Sequence, residues 1–98
     1  MPQTRVDLHP AAISEAQAAY RWYARRSRAA GEAFLAELDR AIVAIADQPA
    51  TWSKHLHGTR RYLLRRFPYA IVYRESSERI TVVAVAHGRR RPGYWRQR

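Results

Sequence analysis

The strongest constraint on the fold is a nearly continuous apolar run at residues 80–85. Its side chains alternate in two sets, Ile80, Val82 and Ala84 on one side and Thr81, Val83 and Val85 on the other. A strand that is apolar on both sides is typical of the middle of a sheet covered on both faces. The rest of the chain must therefore supply neighbouring strands and at least one covering layer.

Two further strands are predicted just before this run. Residues 62–67 combine large apolar side chains with arginines, and Pro68 then makes a turn. Residues 69–74 alternate Ile71 and Tyr73 with Ala70 and Val72, and residues 75–78 form a polar hairpin loop. This order predicts a three-stranded antiparallel meander that ends in the central strand.

The neighbour on the far side of the central strand must come from the start of the chain. Residues 4–9 alternate, with Val6 and Leu8 on one side and charged residues on the other, which predicts a short first strand. Because two helices separate it from the meander, pattern alone leaves both the parallel and the antiparallel arrangement open.

Two helices are predicted between the first strand and the meander. The first covers residues 10–27 and begins at Pro10, where proline is tolerated. The second ends before Pro49 and has an apolar stripe of Phe34, Leu35, Leu38, Ile42 and Ile45. A short connection containing Gly31 predicts an antiparallel hairpin. Trp22 lies with small alanines on a second face of the first helix. This face could pack against a helix of a partner protein, but we predict that it packs against the second helix.

These elements predict an α+β fold with the order β-α-α-β-β-β, formed by one domain over residues 1–98. The hydrophobic fraction of 47% is typical of a packed globular protein. The chain contains no cysteine, which excludes disulfides and thiolate metal sites. No apolar run has the length of a secretion signal or membrane span, so a cytoplasmic location is the default expectation.

The charge is strongly positive and almost entirely due to arginine. The formal net charge is +10, and all 18 basic residues are arginine except Lys54. Guanidinium groups bind phosphate or carboxylate through paired hydrogen bonds. An arginine-rich surface therefore favours nucleic acid or an acidic protein as a partner.

A basic and aromatic tail begins at about residue 87, directly after the central strand. Its predicted target-binding residues are Arg89, Arg90, Arg91, Tyr94 and Trp95. The arginines can neutralise phosphates, while Tyr94 and Trp95 offer ring faces for stacking. The alternative for Trp95 is that it folds back onto the edge of the core.

The histidines raise two possible chemical roles, namely ribonuclease catalysis and metal binding. His87, Tyr94 and arginines are groups that a metal-free ribonuclease can use for proton transfer and charge stabilisation. His55 and His57, in the predicted loop at residues 50–59, have no recognised metal-ligand spacing with His87. We therefore predict no metal and no cofactor.

The segments FPYAIVYR at residues 67–74 and VVAVAHGRRRPGYW at residues 82–95, in this order of elements, resemble the RelE/ParE superfamily of toxins from bacterial type II toxin–antitoxin modules. The resemblance implies an acidic antitoxin partner in a hetero-oligomer. RelE-like members cleave mRNA on the ribosome, and here those roles fall to Arg65, His87, Arg89 and Tyr94, with Lys54 as the sole lysine. ParE-like members lack a working catalytic set and inhibit DNA gyrase.

The Phe67-Pro68-Tyr69 turn and the Ala86–Arg91 ending resemble ParE and plasmid-stabilisation proteins more closely, and lysines typical of the RelE-like pattern are missing. The resemblance thus implies a ParE-like toxin that binds gyrase and has no catalytic residues. The first alternative is the ribosome-dependent endonuclease. The second is a non-toxic homologue that binds only its antitoxin or DNA.

Overall fold

The structure, a computed structural model, describes residues 5–98. Its elements in chain order are β1 Arg5–Leu8, α1 Pro10–Arg26, α2 Arg28–Asp47, β2 Ser53–His55, β3 Thr59–Leu63, β4 Tyr69–Ser76 and β5 Arg79–His87. The strands form one mixed sheet in the order β1-β5-β4-β3-β2. The predicted α+β fold, with a strand, two helices and then strands, is confirmed, with β2 as an unpredicted addition.

Strand β5 lies between β1 and β4, so it is an interior strand, but the middle of the five strands is β4 rather than β5, because the unpredicted β2 extends the sheet on the other side. Strand β5 pairs antiparallel with β4 and parallel with β1, with Val6 opposite Ile80 and Leu8 opposite Val82. The sequence pattern left the direction of the first strand open, and the structure shows that β1 runs parallel to β5. Thr4, the first residue of the predicted strand, lies outside the described residues.

A single residue, Ser27, connects the two helices. Its backbone N–H donates to Tyr23 O at 3.0 Å, and its Oγ accepts the N–H of Ala30 at 3.3 Å, so it caps both helices. The prediction that Gly31 lies in the connection was wrong, because Gly31 is inside α2. A Cβ added there would lie 2.9 Å from the Cβ of Ala24. Gly31 therefore allows close approach of the two helices rather than a break.

The helices cover one face of the sheet. Phe34, Ala41 and Ile45 of α2 are fully buried in a cluster with apolar residues of β4 and β5. The predicted packing of Trp22 against α2 was wrong, since 48% of Trp22 is exposed and the Arg26 guanidinium stacks 3.9 Å from its ring centroid. Leu35, the least buried member of the predicted stripe, is 40% exposed.

The segment between α2 and the meander was predicted as a loop but contains β2. This strand of three residues forms the sheet edge, between 3₁₀ turns at Pro49–Thr51 and Leu56–Gly58. Three residues are too few to show a two-residue alternation. Its neighbour β3 ends at Leu63 rather than at residue 67, because the N–H groups of Arg65 and Arg66 donate to the buried Glu37 carboxylate of α2.

A β-bulge interrupts the predicted alternation of β5. Tyr73 pairs with Val82 but Val72 pairs with Ala84, which leaves Val83 as the extra residue. Val82 and Val85 consequently belong to the cluster under the helices, whereas Val83 and Ala84 belong to a second cluster on the opposite face. The prediction placed Ala84 on the same side as Val82, and Val85 on the same side as Val83. The bulge exchanges them, so Val85 lies with Val82 and Ala84 lies with Val83. The hairpin is also tighter than predicted, because Ser76 still pairs with Arg79.

Within the described residues, the two helices are the longest elements. Neither α1 nor α2 has the apolar length that crossing a membrane requires.

Candidate functional site

The C-terminal segment, residues 88–98, folds back across the sheet face opposite the helices. Trp95 is only 1% exposed and packs in the second apolar cluster with Val72, Val83 and Ala84. The predicted exposure of the Trp95 ring for stacking was therefore wrong, and the alternative of folding back onto the sheet is observed. Burial of so large an aromatic surface accounts for this arrangement.

A partly buried carboxylate on α1, which we call the Glu15 anchor, holds this segment in place. Glu15 accepts hydrogen bonds from the Tyr94 hydroxyl at 2.7 Å and from the Val85 N–H at 3.0 Å. The two terminal nitrogens of Arg98 donate to its two oxygens at 2.8 and 3.1 Å. Arg98 also donates to Val83 O at 3.0 Å. The anchor therefore joins α1, β5 and the C-terminal segment.

The anchor is placed where β5 lacks a neighbouring strand. Strand β1 pairs only as far as Leu8 opposite Val82, so the polar backbone groups of Val83 and Val85 need other partners on that side. Burial alone would raise the pKa of Glu15, but the hydrogen bonds from Arg98, Tyr94 and Val85 outweigh it and lower the pKa. Burial and the bond to Glu15 raise the pKa of Tyr94.

Further contacts fix the middle of the segment. Arg74 donates to the carbonyls of Arg96 and Arg98 at 3.2 and 3.0 Å. Gly93 has a φ of +83°, which strongly favours glycine, and a Cβ there would lie 2.9 Å from His57 Nε2, so the His57 side chain would have to shift. His57 also packs edge-on against Trp95, with ring centroids 5.8 Å apart.

Three consecutive arginines follow β5 on this fixed base. Arg89, Arg90 and Arg91 are all exposed, and no ion pair among residues 5–98 involves them. The Arg90 guanidinium lies 3.9 Å from the Tyr94 ring centroid. His87 Nδ1 accepts the Arg89 N–H at 3.0 Å, which holds the start of the turn. The arginines are thus presented to solvent from a well-anchored turn.

A cavity of about 290 Å³, which we call the sheet-face cavity, lies between the C-terminal segment and the 64–68 turn. Its basic lining residues are His55, Arg61, His87, Arg90 and Arg91. The rest of its lining is mainly apolar and aromatic, including Phe67, Tyr69, Val72 and Trp95, and it contains no aspartate or glutamate. Burial, Arg61 and His57 lower the pKa of His55, which favours its neutral form.

The structure brings only two of the predicted nuclease residues together. His87 and Tyr94 both line the sheet-face cavity. Arg65 instead lines a separate cavity of about 280 Å³ beside Trp52, and Arg89 lines neither.

The two residues that do meet are engaged in structural hydrogen bonds. His87 Nδ1 accepts a backbone N–H, and the Tyr94 hydroxyl donates to Glu15. Lys54, the sole lysine, is exposed on the edge strand β2. The residues named for the nuclease alternative are therefore dispersed rather than assembled around one cavity.

Sequence reasoning missed the anchor. Glu15 and Arg98 are 83 positions apart, and no local pattern connects them. The only available signal was a carboxylate on the alanine-rich face of α1. Among residues 5–98 there is also no group of three or more histidine, cysteine, aspartate or glutamate side chains arranged to hold a metal ion.

Comparisons with known proteins relate the whole domain to one family. A family model described as "ParE toxin of type II toxin-antitoxin system, parDE" matches residues 6–92. No curated protein matches the chain. A solved structure described as "Chromosomal ParDE TA system from P. aeruginosa" is similar, with a TM-score of 0.72 and 18% identity, over 87% of this chain and 96% of that one. At this identity the structural likeness demonstrates the shared fold.

Proposed function

The chain belongs to the family of ParE toxins of type II toxin–antitoxin systems, and on this premise we propose that it inhibits growth by binding DNA gyrase. It acts in the cytoplasm and is neutralised by a cognate antitoxin. The observation that supports this proposal is the exposed row of Arg89, Arg90 and Arg91 on an anchored segment, which we take as the gyrase-binding surface.

Anchoring matters because ordering a loop on binding reduces affinity. The segment that carries the arginines is held by Trp95, by the Glu15 anchor and by Arg74 before any partner arrives. Arginine is also among the residues that contribute most to protein interfaces. Free guanidinium groups on a fixed turn suit recognition of an acidic protein surface or of phosphates held by the target.

We assign no catalytic step to the protein. The alternative, mRNA cleavage on the ribosome, requires histidine, tyrosine and arginine around one phosphate. Arg65 and Arg89 lie outside the cavity that His87 and Tyr94 share. The raised pKa of Tyr94 and its bond to Glu15 also disfavour it as a proton donor at neutral pH.

For the antitoxin we propose the helical hairpin as the docking surface. An apolar groove of about 160 Å³ there is lined by Leu8, Ile13, Ala16, Gln17, Tyr20 and Leu35. Ile13 and Leu35 are both more than one-third exposed. An amphipathic segment of the antitoxin fits such a groove, and acidic residues beside it would be attracted by the +10 charge.

The test is gyrase-catalysed supercoiling of relaxed plasmid in the presence of the purified chain. We expect inhibition that the antitoxin reverses. Replacing Arg89, Arg90 and Arg91 together with glutamine should weaken inhibition by at least about tenfold, since three charged contacts are removed. A control variant with Arg21, Arg25 and Arg40 replaced by glutamine loses the same charge from the helices and should inhibit normally.

Full supercoiling with the chain in large excess over gyrase would contradict the proposal. Translating ribosomes would then be assayed for cut mRNA, and loss of cleavage in His87→Ala would support the endonuclease alternative. Equal weakening in both arginine variants would show that net charge, rather than the C-terminal segment, governs inhibition.

A further inference from the structure

The arginine row at residues 89–91 has charge but no exposed aromatic side chain on its own segment. Trp95 is 1% exposed, and the partly exposed Tyr94 ring carries the Arg90 guanidinium at 3.9 Å. The residues that dominate protein interfaces are tryptophan, tyrosine and arginine, which cluster near the centre of the contact. An aromatic anchor for this surface must therefore come from another part of the chain.

Trp22 of α1 has the exposure that such an anchor needs. It is 48% exposed, the most exposed of the tryptophan, tyrosine and phenylalanine side chains in residues 5–98. Two neighbours on its own helix contact the ring, with the Arg26 guanidinium 3.9 Å from its centroid and the Tyr23 ring edge-on at 4.9 Å. A side chain that is already held in place loses little freedom on binding.

Trp22 also lies on the side of α1 that faces the C-terminal segment. At about 100° and 1.5 Å per residue, it is within about 20° of Glu15 around the helix and about 10 Å further along it. Glu15 accepts the hydroxyl of Tyr94, and the Tyr94 ring contacts Arg90. Trp22 and the arginine row are therefore on the same flank of the molecule.

The end of α1 that carries Trp22 is also the end of the sheet from which the arginine row departs. Tyr23 lies 6.5 Å from Tyr69, and Tyr69 lies 5.1 Å from His87, measured between ring centroids. His87 is the last residue of β5, and its Nδ1 accepts the Arg89 N–H. The two exposed features thus occupy one end of the fold.

The charge of this surface indicates what kind of partner fits it. No ion pair within residues 5–98 involves Arg26 or any member of the arginine row. Glu15, the carboxylate on this side of α1, already accepts hydrogen bonds from Tyr94 and Arg98. A complementary partner must therefore supply acidic groups around a site for the indole ring.

We propose that Trp22 and Arg26 form one interaction surface with Arg89, Arg90 and Arg91, and that it binds an acidic protein surface with an apolar pocket for the Trp22 ring. This inference rests on the proposed function, with gyrase as the partner. It leaves the antitoxin groove free, because Ile13 of that groove lies about 180° around α1 from Trp22. The two partners thus contact opposite sides of the same helix.

The experiment measures binding of the purified full chain to immobilised gyrase at fixed salt, together with inhibition of supercoiling. We expect Trp22→Ala to weaken both by at least about tenfold, through loss of the aromatic anchor. Trp22→Phe keeps a ring and should stay within about threefold of the wild type. Arg26→Gln should weaken both by about fivefold, since it removes a charged contact and the group that holds the ring.

A matched control separates the surface from the overall charge. Arg21→Gln removes the same charge from the same helix, about 140° around from Arg26, and should bind within about twofold of the wild type. The replaced side chains are all exposed, so the variants should fold, and thermal melts check this.

Full inhibition by both Trp22→Ala and Arg26→Gln would overturn this inference alone and leave the proposed function in place. Failure of the wild type to inhibit gyrase would remove the proposed function, and this inference with it. Equal weakening by Arg21→Gln would indicate general charge attraction. Binding to linear duplex DNA without gyrase is measured in parallel, and an equal loss there in Trp22→Ala would assign the surface to nucleic acid instead of a protein.

Discussion

At the scale of single residues, Glu15 joins α1, β5 and the C-terminal segment, and no sequence feature near it indicates this role. Its two oxygens accept hydrogen bonds from the Tyr94 hydroxyl, the Val85 N–H and both terminal nitrogens of Arg98. Even a partly buried carboxylate is costly unless it is hydrogen-bonded, and both oxygens of Glu15 accept hydrogen bonds. Its main effect is to fix where the C-terminal segment lies relative to α1 and β5.

Replacing Glu15 with glutamine should give a pH-dependent loss of stability. The folded-state pKa of Glu15 is below its ordinary value of 4.5, so the folded protein binds fewer protons in acid than the unfolded chain. Its stabilisation is therefore present above about pH 4.5 and lost as the pH falls through the lowered pKa. At pH 7 we expect Glu15→Gln to lower the free energy of unfolding by about 1–3 kcal/mol.

The measurement is denaturant unfolding of wild type and variant between pH 2.5 and pH 7. The difference between the two proteins should shrink in the acid range. A difference that stays constant with pH would show that the Glu15 charge contributes nothing and that packing alone accounts for the loss.

How far sequence predicts this molecule also depends on single residues. Pro10, Pro49 and Pro68 correctly indicated where helices or strands begin or end, because proline acts through its own local geometry. Gly31 was misassigned, because its role depends on Ala24 of another helix. The Glu15 anchor could not be predicted at all, since it exists only after residues 83 positions apart meet.

At the scale of elements, the C-terminal segment is part of the core although it has no regular secondary structure. It covers one face of β4 and β5, as the helices cover the other. The apolar character of β5 on both sides predicted two covered faces. It did not show that the second cover is a segment of eleven residues, because Trp95 reads equally well as a binding residue or a core residue.

Comparing two tryptophans tests the structural role of this segment. Trp95→Ala removes a 1% exposed ring and should lower the free energy of unfolding by about 3–5 kcal/mol. Trp22→Ala removes a ring that is 48% exposed and should cost below about 1 kcal/mol. Chemical denaturation measures both values.

Limited proteolysis of the two tryptophan variants tests the docking of the C-terminal segment directly. Trypsin should cleave after Arg89 or Arg90 much faster in Trp95→Ala than in Trp22→Ala, because an undocked segment fits a protease more readily. Equal cleavage rates in the two variants would mean that Trp95 does not hold the segment in place.

At the scale of the whole molecule, the +10 charge is the property that a partner meets first. Association with the proposed acidic antitoxin should be steered by this field. We expect the association rate constant to fall by about tenfold or more between about 20 and 200 mM salt, with little change in the dissociation rate constant. Stopped-flow fluorescence measures both.

Replacing Arg21, Arg25 and Arg40 with glutamine reduces the charge from +10 to +7, since each substitution removes one unit. This variant should show a shallower dependence of the association rate on salt. Should salt act on the dissociation rate instead, short-range ion pairs in the interface, and not the overall field, would govern the encounter.

The parallel pairing of β1 with β5 has a further consequence for how the chain folds during synthesis. It joins residues 5–8 to residues 79–82, so the first strand has no partner until most of the chain has been translated. The helices can form early from local contacts, but Phe34 and Ile45 have no sheet to cover them until β4 and β5 emerge. A nascent chain therefore carries a bare apolar helix face, which chaperones can recognise, from the completion of α2 at Asp47 until β5 is complete at His87.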